Sequence, residues 1–175
     1  WSIEGLMSPS LASCTGYLPA GIAWYRKHFD VDDISKRRYI YFEGAYNRSE
    51  VYLNGHLLGK RPNGYISFMY DMTPYLKQKD NVLAVRIDHS RHADSRWYTG
   101  SGIYRDVWMI ETGDVHFDLW GVGWTTPEVS EKKAIISVDA KIVNHTSTNG
   151  QYILSATLYD NDGAKVANAV KDVSK

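Results

Sequence analysis

Cysteine is nearly absent from this 175-residue chain. Cys14 stands alone, so no disulfide can form within the chain and the redox compartment leaves no mark. A charge of one sign is missing as well. Twenty basic residues face twenty acidic ones, a balance without the basic field that a nucleic-acid or anionic-membrane partner requires. Neither partner is expected. No apolar run approaches the ~20 residues of a helical membrane span, and no amphipathic helix of any length emerges. The chain opens on Trp1 rather than Met and shows no secretory leader. It is therefore expected to be a processed or cut piece, with any export signal upstream.

What is present is aromatic and alternating. Thirteen Tyr and six Trp suit a β-core. After an irregular lead-in to Pro19, the spacing predicts strands over 22–31 and 38–44. Glu50 to Leu53 and His56 to Gly59 flank Asn54-Gly55, the pair that supplies two positive φ values for a type I′ hairpin. A strand over 65–70 is expected to stop at Asp71-Met72-Thr73-Pro74, with one short helical turn after it. Val82 to Asp88 alternates, with Leu83, Val85 and Ile87 facing one way. Another strand is expected over 103–110. Near Thr112-Gly113-Asp114 the character changes. Residues 115–124 read as a strand-like linker, and 134–143 and 152–159 alternate again. Their rhythm suits an immunoglobulin-like sandwich, but about 60 residues are too few for the roughly 100 such a domain needs. This second domain is expected to be partial, with open edges that pair with a neighbouring copy or fray. A homo-oligomer is thus left open.

The segment from Asp88 to Val107 organises the rest. It holds two His, several Asp and Arg, Trp97, Tyr98 and Gly100-Ser101-Gly102, where a simple strand connection takes roughly 2–6 residues. An Arg beside aromatic rings suits a hydroxyl-rich ligand, since the guanidinium offers fixed forked donors and the rings offer flat apolar faces. The alternative is an ordered structural loop in which Trp97 plugs the core and Arg96 pairs locally. Asp88, His89, His92 and Asp94 form a possible metal-ligand menu, but Arg91 and Arg96 would repel a cation there. The favoured reading is hydrogen bonding within the loop. Gly100-Ser101-Gly102 is neither a nucleotide fingerprint nor a nucleophile elbow, and no cofactor is expected. Asp32-Asp33 and Asp160/Asp162 fall in turns, where Asp caps its own backbone. Asn47-Arg48-Ser49 and Asn144-His145-Thr146 match the glycosylation pattern, which is common by chance.

Taken in order, Gly16-Tyr17-Leu18-Pro19-Ala20-Gly21-Ile22-Ala23-Trp24-Tyr25-Arg26-Lys27, Val51-Tyr52-Leu53-Asn54-Gly55-His56-Leu57-Leu58-Gly59, Gly64-Tyr65 with Phe68 and Asp71-Met72-Thr73, and Ser95-Arg96-Trp97-Tyr98-Thr99-Gly100-Ser101-Gly102-Ile103-Tyr104-Arg105-Asp106-Val107 form a set. The set closely resembles the N-terminal sugar-binding domain of glycoside hydrolase family 2, in its β-galactosidase branch. The resemblance implies a jelly-roll, galactose-binding-like β-sandwich over 1–113. It implies the start of an immunoglobulin-like β-sandwich over 114–175, and then a catalytic (β/α)₈ barrel with a Glu acid/base and a Glu nucleophile. Such a pair must sit about 5–5.5 Å apart on a rigid frame. The chain ends before any barrel, so no residue here is assigned a catalytic role and the piece alone is expected to be inactive. The implied partners are a β-galactoside-like carbohydrate and the missing barrel of the same chain. A bacterial periplasmic or extracellular setting is expected over a cytoplasmic one.

In that family a loop of the first domain reaches to the barrel and completes the sugar pocket, and in other branches an acidic residue near this point contacts the sugar. The matching spot here is Ser95 or Arg96, with Asp94 just before. Arg96 is the first candidate for the sugar contact and Asp94 the second. Trp97 and Tyr98 stand either as stacking or as packing groups. Two other readings remain open: a stand-alone carbohydrate-binding or adhesion module, and a purely structural scaffold.

Overall fold

The computed structural model describes residues 21–90 and 100–174. They form an all-β chain divided into two compact units, Trp1–Thr112 and Gly113–Lys175. In the first unit, β1 (Ile22–Phe29), β4 (Ser49–Leu53), β5 (His56–Arg61) and β7 (Asn81–Asp88) make one antiparallel sheet in the order β1-β7-β4-β5. A second sheet, β6-β2-β9, is made by β2 (Arg37–Phe42), β6 (Phe68–Asp71) and β9 (Val107–Thr112). Apart from the β4–β5 hairpin, successive strands of these two sheets switch from one sheet to the other, the crossing habit of a jelly roll rather than of a meander.

One apolar core lies between the two sheets. Ile40, Phe42 and Phe68 come from one sheet, and Val51, Leu53, Leu83, Val85 and Ile87 from the other. The alternation in β7 therefore delivers what it predicts, with Leu83, Val85 and Ile87 at 8%, 3% and 1% exposure. Each such burial stabilises by about 1.5–3 kcal/mol. Phe42 and Phe68 stack at 4.9 Å. Asn54 and Gly55 take φ of 50° and 86°, so the hairpin is the tight turn expected. A 3₁₀ turn at Thr73–Tyr75 follows β6.

Three expectations need correction. The strand predicted from Tyr65 starts only at Phe68, because the Asn63 side-chain oxygen accepts the Tyr65 and Ile66 amides at 2.8 and 3.1 Å and holds them in a turn. The strand predicted over 103–110 is broken. β8 (Gly102–Ile103) pairs with β3 (Ala45–Tyr46), whereas β9 pairs with β2. The chain thus changes partners across Tyr104–Asp106. The strand-like linker expected over 115–124 is strand as read, but it runs on to Val129 as the front of a 15-residue element, β10 (Val115–Val129).

In the second unit β10 pairs with β11 (Ala134–Asn144), and β12 (Gln151–Tyr159) pairs with β13 (Lys165–Ser174). Register shifts interrupt the β10–β11 ladder twice.

Candidate functional site

The outward-facing set of β7 ends in Asp88, which is buried at 8% exposure. Its Oδ1 accepts the Ser90 hydroxyl at 2.6 Å and the Ser90 amide at 3.0 Å. Arg48 Nη2 donates to the same oxygen at 3.4 Å, and Arg86 Nη2 donates to Oδ2 at 3.1 Å. The Ser90 hydroxyl, then its amide, with the two guanidinium groups behind them, hold this carboxyl well below the usual carboxylate range against the opposing effect of burial. The Asp88 amide donates to Asn47 O at 3.1 Å, so side chain and backbone are both fixed.

His89 follows, buried at 3% exposure. Its amide donates to Gly21 O at 2.9 Å. Its ring Nδ1 lies 2.5 Å from the Ser101 hydroxyl and meets the Tyr46 ring edge-on at 4.9 Å. The contact joins two residues of the organising segment that stand 12 apart in sequence. Beside it, Tyr46 pairs with Gly102 and Ala45 with Ile103. A Cβ on Gly64 would run into the Tyr46 ring, so only glycine lets that ring lie where it does. Tyr104 Oη donates to Gly64 O at 2.9 Å. The segment thus springs from a clamped root: a charge-paired Asp88 and a His89–Ser101 bridge. Among the described residues, Asn47 Oδ1 and Arg48 Nε are buried at this root without a hydrogen-bond partner.

The residues singled out in the sequence, Asp94, Arg96, Trp97 and Tyr98, lie outside the described residues, as does His92. Of the metal-ligand menu, Asp88 directs its lone pairs to Arg48, Arg86 and Ser90, which is the hydrogen-bonding role favoured for it. Sequence reading passed over Tyr46, Asn47 and Arg48 as parts of the root. The only signal was Asn47-Arg48-Ser49, read as a glycosylation pattern, yet Ser49 is 1% exposed and its hydroxyl donates to Arg61 O at 3.3 Å. The paired carboxylates act as turn chemistry. Asp33 Oδ1 accepts the Ser35 amide at 2.8 Å, and Asp160 Oδ1 accepts the Asp162 and Ala164 amides at 3.0 and 2.8 Å.

A two-sheet sandwich with a polar, clamped segment at the end of a strand is a frame on which a loop-borne site can be built. Residues 11–113 match the family model of the glycosyl hydrolases family 2 sugar binding domain, and the chain belongs to that family. It is 48% identical over 172 residues to the β-galactosidase BoGH2A of Bacteroides ovatus, covering 95% of this chain and 20% of that protein. It is 34% identical to a β-glucuronidase of Formosa agariphila, covering 88% of this chain and 18% of that one. Among solved structures, a β-glycosidase from Bacteroides vulgatus matches with a TM-score of 0.84 and 38% identity over 99% of this chain and 23% of its own. The chain thus spans about a fifth of the length of these relatives.

Proposed function

We propose that this chain is the sugar-binding part of a retaining β-galactosidase, shaping a pocket whose catalytic carboxylates stand on a barrel elsewhere in the full-length protein. The observation that carries the reading is the 48% identity to a protein named as a β-galactosidase, sustained over 172 residues. The clamped root supports it. A loop that completes a pocket must be held to within a fraction of an ångström to act in the transition state, and Asp88 and His89 fix the backbone on which the segment stands.

In this reading residues 1–113 form the sugar-binding jelly roll and 114–175 part of an immunoglobulin-like domain. Arg96 donates charge-assisted hydrogen bonds to a sugar hydroxyl, with Asp94 the second contact and Trp97 and Tyr98 beside them. The isolated chain turns over no substrate, since a retaining mechanism needs two carboxylates on one frame. The test is Arg96→Ala in the full-length protein, assayed on para-nitrophenyl β-galactoside. A loss of about tenfold in kcat/KM, the factor that 1.4 kcal/mol of transition-state binding represents, is expected. An unchanged ratio makes the segment structural. Turnover by the isolated chain above a buffer control removes the division of labour altogether.

A further inference from the structure

We propose a further carbohydrate-contacting surface on the outer face of the β1-β7-β4-β5 sheet, centred on the rings of Trp24 and Tyr52 and taking a neutral pyranose unit of an extended glycan. The proposal rests on the reading that this chain binds carbohydrate, and it adds a site to that reading.

Strand register builds the surface. Trp24 pairs with Arg86, Arg86 with Glu50 and Glu50 with Lys60, so these four form one row across the sheet. Arg26, Ala84 and Tyr52 form the row beside it. The residues between them, Val51 and Val85, are buried in the core, so alternation turns both rows outward. Trp24 remains 47% exposed. Its ring centroid lies 5.9 Å from that of Tyr52, with the planes tilted by 35°. The pair therefore makes a shallow platform and not a closed stack.

Hydrogen bonds fix the rim. Tyr52 Oη donates to Glu50 Oε2 at 2.6 Å, and Lys60 Nζ donates to Glu50 Oε1 at 2.7 Å. These two donors hold the Glu50 carboxyl below its usual range, Lys60 foremost. The Arg26 guanidinium lies 5.7 Å from the Trp24 ring centroid.

The chemistry of the rim selects the occupant. A pyranose has an apolar C–H face that packs on an aromatic ring, and hydroxyls at its edge that both donate and accept. The Glu50 carboxylate accepts, and the Lys60 ammonium and the Arg26 guanidinium on the same face donate, so the surface offers both roles. A purely apolar partner would strip water from these ionised groups and give nothing back. Size argues the same way. Two aromatic side chains bring about 300–500 Å² at most, short of the roughly 800 Å² per partner that a stable protein interface buries. Because the rim is already ordered, a sugar binding there freezes few side chains.

The test is affinity electrophoresis of the full-length protein through gels containing soluble β-linked galactan, run beside turnover of para-nitrophenyl β-galactoside. Wild type is expected to be retarded. Trp24→Ala and Tyr52→Ala should each weaken the galactan affinity about tenfold, while Tyr52→Phe, which keeps the ring, retains it. Melting temperatures show that the variants fold. If Trp24→Ala does not, the Tyr52→Ala and Tyr52→Phe pair decides. Wild type that hydrolyses the aryl galactoside but is not retarded overturns the surface and leaves the proposed function standing. Retardation without hydrolysis supports the surface and removes the galactosidase reading. Unchanged retardation in both alanine variants, or loss of galactan affinity matched by an equal loss of aryl galactoside turnover, also overturns it.

Discussion

The two units alternate alike in sequence and differ in burial. Every buried apolar side chain among the described residues lies between Val31 and Ile87, in the first unit. In β7 the apolar set sits at 8%, 3% and 1% exposure, whereas in the corresponding set of β11 Ile136 and Val138 stay at 39% and 43% and Ala140 and Ile142 are only half-buried. Period-2 patterning states which side of a strand could be covered. It does not state that anything covers it. The first unit has a second sheet to supply that cover. Each ladder of the second unit, among the described residues, has only two strands, and a two-stranded ribbon is marginal by itself in water.

The sharpest way to break this contrast is Phe42→Ala. The ring is fully buried and stacked on Phe68, so its loss should cost about 3–5 kcal/mol, read from denaturant unfolding of the full-length protein. A cost below about 1 kcal/mol, the scale of an ordinary surface change, would mean the first core is as loose as the second unit. Asn81→Ala comes next. This 0%-exposed amide accepts the Lys77 amide at 2.8 Å and Asn54 Nδ2 at 3.0 Å, and donates to Lys77 O at 2.6 Å. Removing it leaves buried partners unsatisfied at about 1–3 kcal/mol, and a melting curve that does not move would show that water replaces it.

A pH series probes the root of the organising segment. The folded-state pKa of Asp88 is depressed, while an unfolded Asp titrates near 3.9, about the model-peptide value. Its stabilisation is therefore complete above about pH 4 and is lost as acid protonates it in the folded state. Asp88→Asn should lower the melting temperature at neutral pH and flatten its fall below pH 4; parallel acid limbs in the two proteins would exclude Asp88 as a contributor. The smallest effect belongs to the second unit. Trp124 is 71% exposed, and Trp124→Ala should stay within about 0.5 kcal/mol of wild type. A larger loss in the full-length protein would reveal cover supplied from outside these residues.

What was legible in the sequence follows from the same physics. β7 and the Asn54-Gly55 hairpin could be read because alternation and turn chemistry act over neighbouring residues. β3, β8 and the break at Tyr104–Asp106 could not, because they depend on a change of partner between distant strands. β13, with Ala167, Asn168 and Ala169 facing β12, lacks the β-branched and aromatic density that marks a strand. For the site, the length and cost of the segment after Asp88 were visible. Arg48 and Tyr46 were not, since they reach the root from β3 and the turn after it, some 40 residues earlier in the chain.

The His89–Ser101 bridge has a bearing on how such a protein diversifies. Residues 12 apart in sequence are joined at 2.5 Å, which holds the two ends of that stretch close together. Closing a longer insert costs only about 0.6 kcal/mol for each doubling of length. A change of length between these two posts would then cost the frame little.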